Sequence, residues 1–466
     1  MNSRYESRNA VVLGLGVTGL SLARHLVAGG ARVRVADTRA TPPQAATLQA
    51  ELPQVTLTTG ELTAATLEGC DLIAISPGVA KDAPIIQDAV RRGAELVGDI
   101  ELFARALPPE QKLLAITGSN GKTTVTALTG ALTRAAGMTT IVAGNIGDPV
   151  LDVLARCEAG EVPVWPDVFV LELSSFQLET TTSLSPIAAT VLNVTENHLD
   201  RYAGMDDYAA AKRRIFSGGG IQVLNRDDPR SLAMHDDGAP LETFGSDVPV
   251  QENEWGLVAR DGHGGDVWLA RGGELLVPQA SLALLGRHNA LNALAALALA
   301  STVAKISRTA LNALTHFEGL PHRMQRINEA GGVLFVNDSK GTTTAATEVA
   351  LEGIGRPVVL IAGGDGKGQD FASLRGSVAA HCRAVLLIGR DAARIAAALA
   401  GTGVTMECVE TLDRAVTRAL ALARPGDAIL LSPACASLDQ FSNYAERGER
   451  FAQLVGTALE QGAIHA

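Results

Sequence analysis

Lys112-Leu113-Leu114-Ala115-Ile116-Thr117-Gly118-Ser119-Asn120-Gly121-Lys122-Thr123-Thr124 decides the fold. The run Lys112–Thr117 has strand character, the glycine-punctuated turn follows at once, and helical spacing continues through Ala136. A strand that feeds a helix through a turn of small residues is half of a parallel crossover unit. Successive backbone N–H groups in such a turn form a nest for phosphate. Lys122 is placed to reach β- and γ-phosphates, and the Thr123 hydroxyl to hold Mg²⁺. The form is more compact than the common GxxxxGK[ST] loop, because Ile116 stands where that pattern needs glycine.

Working outward, the pattern repeats on both sides. Upstream, strands are expected at Asn9–Gly14, Ala31–Ala36 and Asp71–Ile75, with a helix over Val17–Ala28 ended by Gly29-Gly30. Pro108-Pro109 marks a linker. Downstream, strands are expected at Val168–Leu173 and Ala188–Val194. A Gly- and Asp-rich stretch, Ala239–Pro278, reads as meandering β or loop, and Leu282–Ala304 as helix. After a second linker at Gly319-Leu320-Pro321, strands are expected at Val333–Val336, Pro357–Ala362, Ala384–Ile388 and Ala428–Leu431. The expectation is an α/β protein with three domains in series, over residues 1–108, 109–319 and 320–466. The first and third are expected to be Rossmann-like and the central one a P-loop-type ATPase domain. A chain of 466 residues is also too long for one core.

Composition removes several function classes. The net charge of −11 argues against a general nucleic-acid binder, and 4% aromatics against base stacking on single strands. Five scattered cysteines with no CxxC pair form neither a disulfide framework nor a zinc finger, and fit a reducing cytosol. The polar N-terminus lacks the apolar region of a secretory signal. Ala290–Val303 is apolar but Ala-rich and interrupted by Asn292, so it reads as a buried helix and no membrane span is expected.

Other motifs sit at expected strand ends. Gly14-Leu15-Gly16-Val17-Thr18-Gly19 lets a diphosphate approach a helix N-terminus, and Asp37 ends the next strand near the spacing of a ribose-binding acid. That pattern does not separate NAD from UDP. Glu172 ends an apolar strand beside the phosphate turn, where a nucleotide-bound Mg²⁺ needs a hard oxygen ligand. His198, in Asn193–Arg201, suits a second-metal ligand or a proton acceptor. By spacing alone, Lys212, Arg213 and Arg214 are a solvated helix face. In the last segment, NDSKGT (Asn337–Thr342), GGDGKG (Gly363–Gly368) and SPACASLDQ (Ser432–Gln440) all follow strands. Such loops can share one ligand-binding edge, with Arg323 and Lys367 as cations for carboxylate or phosphate.

Taken together these residues resemble the Mur ligases. The TGSNGKTT turn and the His198 segment are similar to the family generally. ELSSFQLE, NVTENHLDRY, GLPHR, NDSKGT, GGDGKGQDF and SPACASLDQF resemble its D-glutamate-adding member, and the likeness runs from about Asn9 to Phe451. The resemblance implies a cytoplasmic, ATP-dependent amide ligase of peptidoglycan precursor synthesis. It would add D-glutamate to UDP-N-acetylmuramoyl-L-alanine through an acyl phosphate, with two Mg²⁺ ions, and monomer is the default state. The first domain would hold UDP and not NAD, the central one ATP, the third the amino acid.

Carried onto this sequence, the resemblance assigns Gly118, Ser119, Asn120, Gly121, Lys122, Thr123 and Thr124 to ATP phosphates. It makes Thr123, Glu172, His198 and Lys212 the metal set, Lys212 as a carbamylated lysine. Lys122, Glu172, His198 and Lys212 are its catalytic group. Asn289 and Asn292 fall on the adenine side, and Arg323, Asp338 and Lys340 on ATP phosphate, ribose and closing loop. Asp37, Thr38 and Arg39 become uracil contacts, and Gly16, Val17, Thr18, Ser76, Pro77 and Gly78 line the diphosphate path. Asn145 and Ser174 lie near the muramoyl-alanyl group, and Thr342, Lys367, Ser437 and Tyr444 at D-glutamate. Three features depart from the family pattern. Thr343 replaces a common Asn, Tyr444 a common Phe, and Ala155–Pro166 reads as a longer surface loop. The competing classes are a folylpolyglutamate synthase, which has no use for a UDP domain, an NAD-dependent oxidoreductase, and a non-catalytic nucleotide-binding regulator.

Overall fold

The structure is a computed structural model, and it describes residues 4–162, 164–196, 201–260, 266–284 and 286–462. The chain forms two compact units, Met1–Val277 with Asn292–Leu314, and Pro278–Leu291 with Thr315–Ala466.

The first unit carries two sheets. One has five parallel strands in the spatial order Thr56–Thr59, Arg32–Asp37, Asn9–Leu13, Leu72–Ile75, Glu95–Val97. The chain winds one way from Asn9–Leu13 and then the other, so a crevice opens at the carboxyl ends of Asn9–Leu13 and Leu72–Ile75. The helix Val17–Ala28 has the expected bounds. A Cβ on Gly19 would lie 1.8 Å from the Gly14 carbonyl, so only glycine lets this helix pack on the turn before it.

The other sheet has nine strands, ordered Glu274–Pro278, Val267–Arg271, Glu254–Ala259, Leu241–Phe244, Ile221–Asn225, Ala188–Val191, Lys112–Thr117, Val168–Glu172, Thr140–Gly144. Lys112–Thr117 has the expected bounds and lies between Val168–Glu172 and Ala188–Val191, both parallel to it. Its carboxyl end, where the phosphate turn begins, is therefore a switch point flanked by Glu172 and Val191. Continuous apolar burial of Val168–Leu171 and Leu113–Ile116 is what a strand covered on both faces requires. One apolar cluster runs under both sheets of this unit, with Phe103 edge-on to Phe169 at 5.2 Å, and a second, around Val11, Ile73 and Ile86, covers the other face of the first sheet.

One expectation is met in its first form and two are corrected. The stretch read as meandering β or loop is β, with four strands from Leu241–Phe244 to Glu274–Pro278. Trp255 and Leu269 give them a buried face that short polar interruptions hid. Ala155–Pro166 is not wholly loop, since Val150–Glu158 is a helix whose Val153, Leu154 and Cys157 face the core. The helix expected over Leu282–Ala304 is confined to Arg287–Ser301, because Gly286 holds a positive φ of 91° just before it.

The second unit carries six strands, ordered Gln325–Ala330, Val333–Asn337, Ala428–Leu431, Val358–Gly363, Cys382–Ile388, Thr405–Glu410. All pair in parallel except the first two, which are antiparallel. Apolar clusters cover both faces, one around Leu360 and Leu387, the other around Phe335 and Phe451. Asn337, Gly363 and Leu431 end neighbouring strands, so the three polar turns that follow them meet at one edge. Among the described residues, no helix is long and apolar enough to cross a membrane.

Candidate active site

The phosphate turn owes its shape to two glycines and a set of side-chain braces. Gly118 and Gly121 hold φ of 157° and 83°, and Gly121 is the left-handed N-cap of the helix Lys122–Ala135. A Cβ on Gly118 would lie 3.0 Å from Leu192, and one on Gly121 2.6 Å from the Asn292 carboxamide oxygen. The Asn120 amide donates to Asn193 Oδ1 at 2.8 Å, and Asn193 Nδ2 returns a bond to the Asn120 carbonyl at 3.1 Å. Ser119 Oγ donates to the Thr195 carbonyl at 3.0 Å and accepts from the Thr195 amide at 3.0 Å, with the Tyr208 hydroxyl 3.3 Å away. Among the described residues no side chain caps the helix N-terminus, and its N–H groups with the dipole behind them suit a phosphate. Thr123 and Thr124 stand half-buried in its first turn.

Two lysines converge on this turn. Lys122 Nζ donates to the carbonyls of Gly118 (2.7 Å) and Ser119 (3.0 Å). Lys212 Nζ donates to the same Gly118 carbonyl at 2.9 Å and lies 4.5 Å from the Tyr208 ring centroid. The solvated helix face expected from spacing is therefore wrong for Lys212, which is 1% exposed. The helix Met205–Arg213 places Tyr208 one turn before Lys212, and that ring shuts out water. Burial first, and the Lys122 charge second, push the Lys212 ammonium down to about 6.

Glu172 lies beside Ile116 in the register of paired strands, and the Leu173 amide donates to the Ile116 carbonyl at 2.8 Å. Its carboxylate is buried, with Oε1 accepting from Asn145 Nδ2 at 2.9 Å. Oε2 is buried with no hydrogen-bond partner among the described residues. A buried carboxylate oxygen left without a donor is costly, and a hard cation is the partner that such an oxygen suits. These residues thus fit a magnesium-bound polyphosphate. His198 lies outside the described residues.

Asn145 and Ser174 each bond a neighbouring side chain. Asn145 braces Glu172, and Gly144 allows it, since a Cβ there would lie 2.2 Å from the Glu172 carbonyl. Ser174 and Gln177 form a capping box on the turn Ser175–Leu178. Gln177 Nε2 donates in turn to the buried Asp99 at 3.1 Å. Sequence reasoning missed Asp99, Gln177, Tyr208 and Arg201. Only Tyr208 carried a local signal, its four-residue spacing from Lys212.

In the first sheet's crevice, Gly16 is the extended N-cap of the helix Val17–Ala28, with Val17 and Thr18 in its first turn and Val17 exposed. Ser76 Oγ donates to the Gly14 carbonyl at 2.9 Å, which joins the Ser76-Pro77-Gly78 turn to the glycine turn. Asp37 is buried. Its Oδ2 accepts from the Leu15 amide at 2.6 Å, and Arg39 grips both oxygens. The Arg39 guanidinium holds this carboxyl well below the usual range against the opposing effect of burial. Asp37 therefore shapes the glycine turn from behind, and Thr38 and Arg39 stand exposed beside it.

In the second unit, Asp338 is buried and accepts from Ser432 Oγ at 2.8 Å and from the Met324 amide at 3.2 Å. Burial raises it to about 7, against that hydrogen bond and the charge of half-buried Arg323. Lys340 Nζ sits 3.9 Å over the Tyr444 ring, so the hydroxyl that departs from the family pattern belongs to a ring already holding a cation. The Ala434 amide donates to the Gly341 carbonyl and the Asp365 amide to the Ala436 carbonyl, both at 2.9 Å. These bonds gather the turns that bear Thr342, Lys367 and buried Ser437. Lys367 is exposed at a positive φ of 48°. Thr343 is the N-cap of the helix Thr344–Ile354, accepting from the Ala346 amide, a task that threonine and asparagine both perform. Asn289 is buried in the first turn of Arg287–Ser301.

Three family models match in series: the Mur ligase MurD-like N-terminal domain over residues 8–98, the Mur ligase middle domain over 116–300, and the Mur ligase glutamate ligase domain over 322–435. The chain is 53% identical to UDP-N-acetylmuramoylalanine–D-glutamate ligase of Thiobacillus denitrificans, over 98% of each chain. It belongs to the Mur ligase family. The enzyme of the same name from Methylobacillus flagellatus is 52% identical over 99% of each chain. Among solved structures, UDP-N-acetylmuramate-alanine ligase MurC from Thermotoga maritima shares the Mur ligase fold. Its TM-score is 0.58 at 19% identity, over 97% of this chain and 100% of that one.

Proposed function

We propose that this Mur ligase joins D-glutamate to UDP-N-acetylmuramoyl-L-alanine, with ATP as the activating substrate. The observation that carries the reading is the end-to-end likeness to D-glutamate ligases at 53% identity. The site chemistry supports it. A carboxylate is a poor acyl donor because its leaving group would be oxide. Transfer of the ATP γ-phosphoryl to the L-alanyl carboxylate gives an acyl phosphate and ADP. The neutral amine of D-glutamate attacks the carbonyl carbon, a nearby base such as His198 or solvent takes the proton from its nitrogen, the C–O bond to phosphate breaks, and amide and inorganic phosphate leave.

The Gly118–Gly121 turn, the helix N-terminus behind it and Lys122 cradle the β- and γ-phosphates. Glu172, Thr123, Lys212 and His198 are the residues that would hold magnesium, which when bound neutralises phosphate charge. Asn145 fixes the Glu172 carboxylate with one oxygen turned away from its own bond. Lys212, an amine rather than an ammonium near neutral pH, is fit to take up CO₂ as a carbamate, which converts a donor into an oxygen ligand. In the second unit, Thr342, Lys367, Ser437 and Tyr444 form the D-glutamate site, with Arg323, Asp338 and Lys340 as ATP contacts. Asn289 and Asn292 take the adenine side. The crevice at Gly14 and Ser76 takes the UDP end. The domains divide at 1–108, 109–319 and 320–466, and the enzyme works in the cytoplasm as a monomer.

The test is phosphate release by the purified chain with ATP, Mg²⁺ and UDP-N-acetylmuramoyl-L-alanine. Release should depend on D-glutamate. Equal rates with L-lysine or meso-diaminopimelate, or no rate above background, would overturn the assignment.

A further inference from the structure

We propose that Arg201 is a positioning residue that locks the Ser76–Val79 turn of the first sheet onto the central sheet, and so sets the grip on the UDP-bearing substrate. The proposal rests on the reading of that turn as part of the substrate's diphosphate path.

Arg201 Nη1 donates to the Pro77 carbonyl at 3.2 Å, and Nη2 to the Val79 carbonyl at 2.8 Å. One planar guanidinium thus holds two carbonyls of one tight turn, which is already closed by the Val79 amide on the Ser76 carbonyl at 2.9 Å. Proline leaves position 77 with no N–H, so its carbonyl is the only main-chain handle there. The same turn reaches the glycine turn through Ser76 Oγ on the Gly14 carbonyl. A Cβ on Gly78 would meet nothing within 4 Å, so this face of the turn is open to a ligand.

The other side of Arg201 belongs to the phosphate site. Its guanidinium lies 4.2 Å from the Phe176 ring centroid, with Glu179 3.8 Å away, and its side chain is 18% exposed. Phe176 follows Glu172 by four residues. It stacks on Tyr202 at 6.1 Å and 17°, and Tyr202 packs on Tyr208 at 5.1 Å. Tyr208 meets Ser119 in the phosphate turn and covers Lys212. A packed row therefore runs from the UDP-side turn to the phosphate turn, and Arg201 is its link to the first sheet. Lysine, a single compact charge, can serve only one of the two carbonyls well.

Calorimetric binding to the full chain tests this, with UDP-N-acetylmuramoyl-L-alanine and ADP as separate probes. Arg201→Ala should weaken the UDP substrate by about tenfold or more and Arg201→Lys by a smaller factor, as expected for losing two or one charged hydrogen bonds. ADP affinity should hold. A brace of general stability would instead weaken both ligands together. Unchanged UDP-substrate affinity in Arg201→Ala, or equal losses for both ligands in Arg201→Lys, overturns the proposal. If the wild type binds the UDP substrate but releases no phosphate with D-glutamate, the ligase reading fails while the Arg201 comparison still decides its role. If the wild type does not bind it, both fall.

Discussion

Replacing Lys212 gives two opposite effects, and the structure sets the size of both. With its ammonium lowered from 10.5 to about 6, the fraction of Lys212 present as neutral amine at pH 7.5 rises about a thousandfold, from ~0.1% to ~97%. That is the form able to add CO₂. Lys212→Arg, always charged, and Lys212→Ala should each lose about 100-fold or more in kcat, the range for removing one charge-stabilising group. Acetate or propionate should restore part of the activity of Lys212→Ala, since the vacated space admits a small carboxylate, and none to Lys212→Arg. The stability effect runs the other way. Between about pH 6 and 10.5 the unfolded chain binds a proton at Lys212 that the folded chain does not, so wild-type stability rises with pH through that window. Each pH unit contributes about 1.4 kcal/mol. Lys212→Met lacks this dependence. Measured by urea unfolding in CO₂-free buffer, its stability relative to wild type should fall by about 3 kcal/mol from pH 7 to pH 9. A constant difference across that range would mean that Lys212 stays protonated when buried. Lys212→Arg with a third or more of wild-type activity would remove the carbamate from the account.

Three further outcomes follow from individual contacts. Asp99 is raised to about 6 by burial, against its hydrogen bond from Gln177, so its ionised form costs the folded state about 3 kcal/mol at pH 7. Asp99→Asn should raise the urea midpoint at pH 7, with the gain shrinking as pH falls from 6 towards 4; a gain that does not shrink would refute the titration. Gly144→Ala would drive a Cβ to 2.2 Å from the Glu172 carbonyl at a φ of 102°, and should cut phosphate release far more than it lowers ATP-independent binding of the UDP substrate. Equal losses in both would count against the Asn145–Glu172 brace. Thr343→Asn should leave Tm and kcat unchanged because either residue caps the helix, whereas Thr343→Val should cost about 1 kcal/mol in thermal unfolding.

What the sequence made legible was what depends on near neighbours. The strand Lys112–Thr117, the helix Val17–Ala28 and the strand Ala428–Leu431 have the bounds that periodicity assigns them, because each ends at a glycine or at polar turn residues. The strand-end position of Glu172 was readable for the same reason. Lys212 was not. A run of three basic residues on a helix is normally solvated, and the burial of Lys212 comes from Tyr208 together with the Gly118 carbonyl and the Thr117 hydroxyl, about ninety residues away. Asn145 and Ser174 also close a carboxylate brace and a capping box, bonds to neighbours that residue type alone does not reveal. Arg201 illustrates the same limit. Its partners are carbonyl oxygens of Pro77 and Val79, and a carbonyl leaves no trace in residue type.

The central claim is that the L-alanyl carboxylate is activated by phosphorylation before the amine arrives. Substrate carrying ¹⁸O in that carboxylate tests it by mass spectrometry of the released phosphate. The account predicts one ¹⁸O in each phosphate formed, and only when ATP and D-glutamate are both present. Phosphate free of ¹⁸O, alongside normal formation of the amide product, would contradict it.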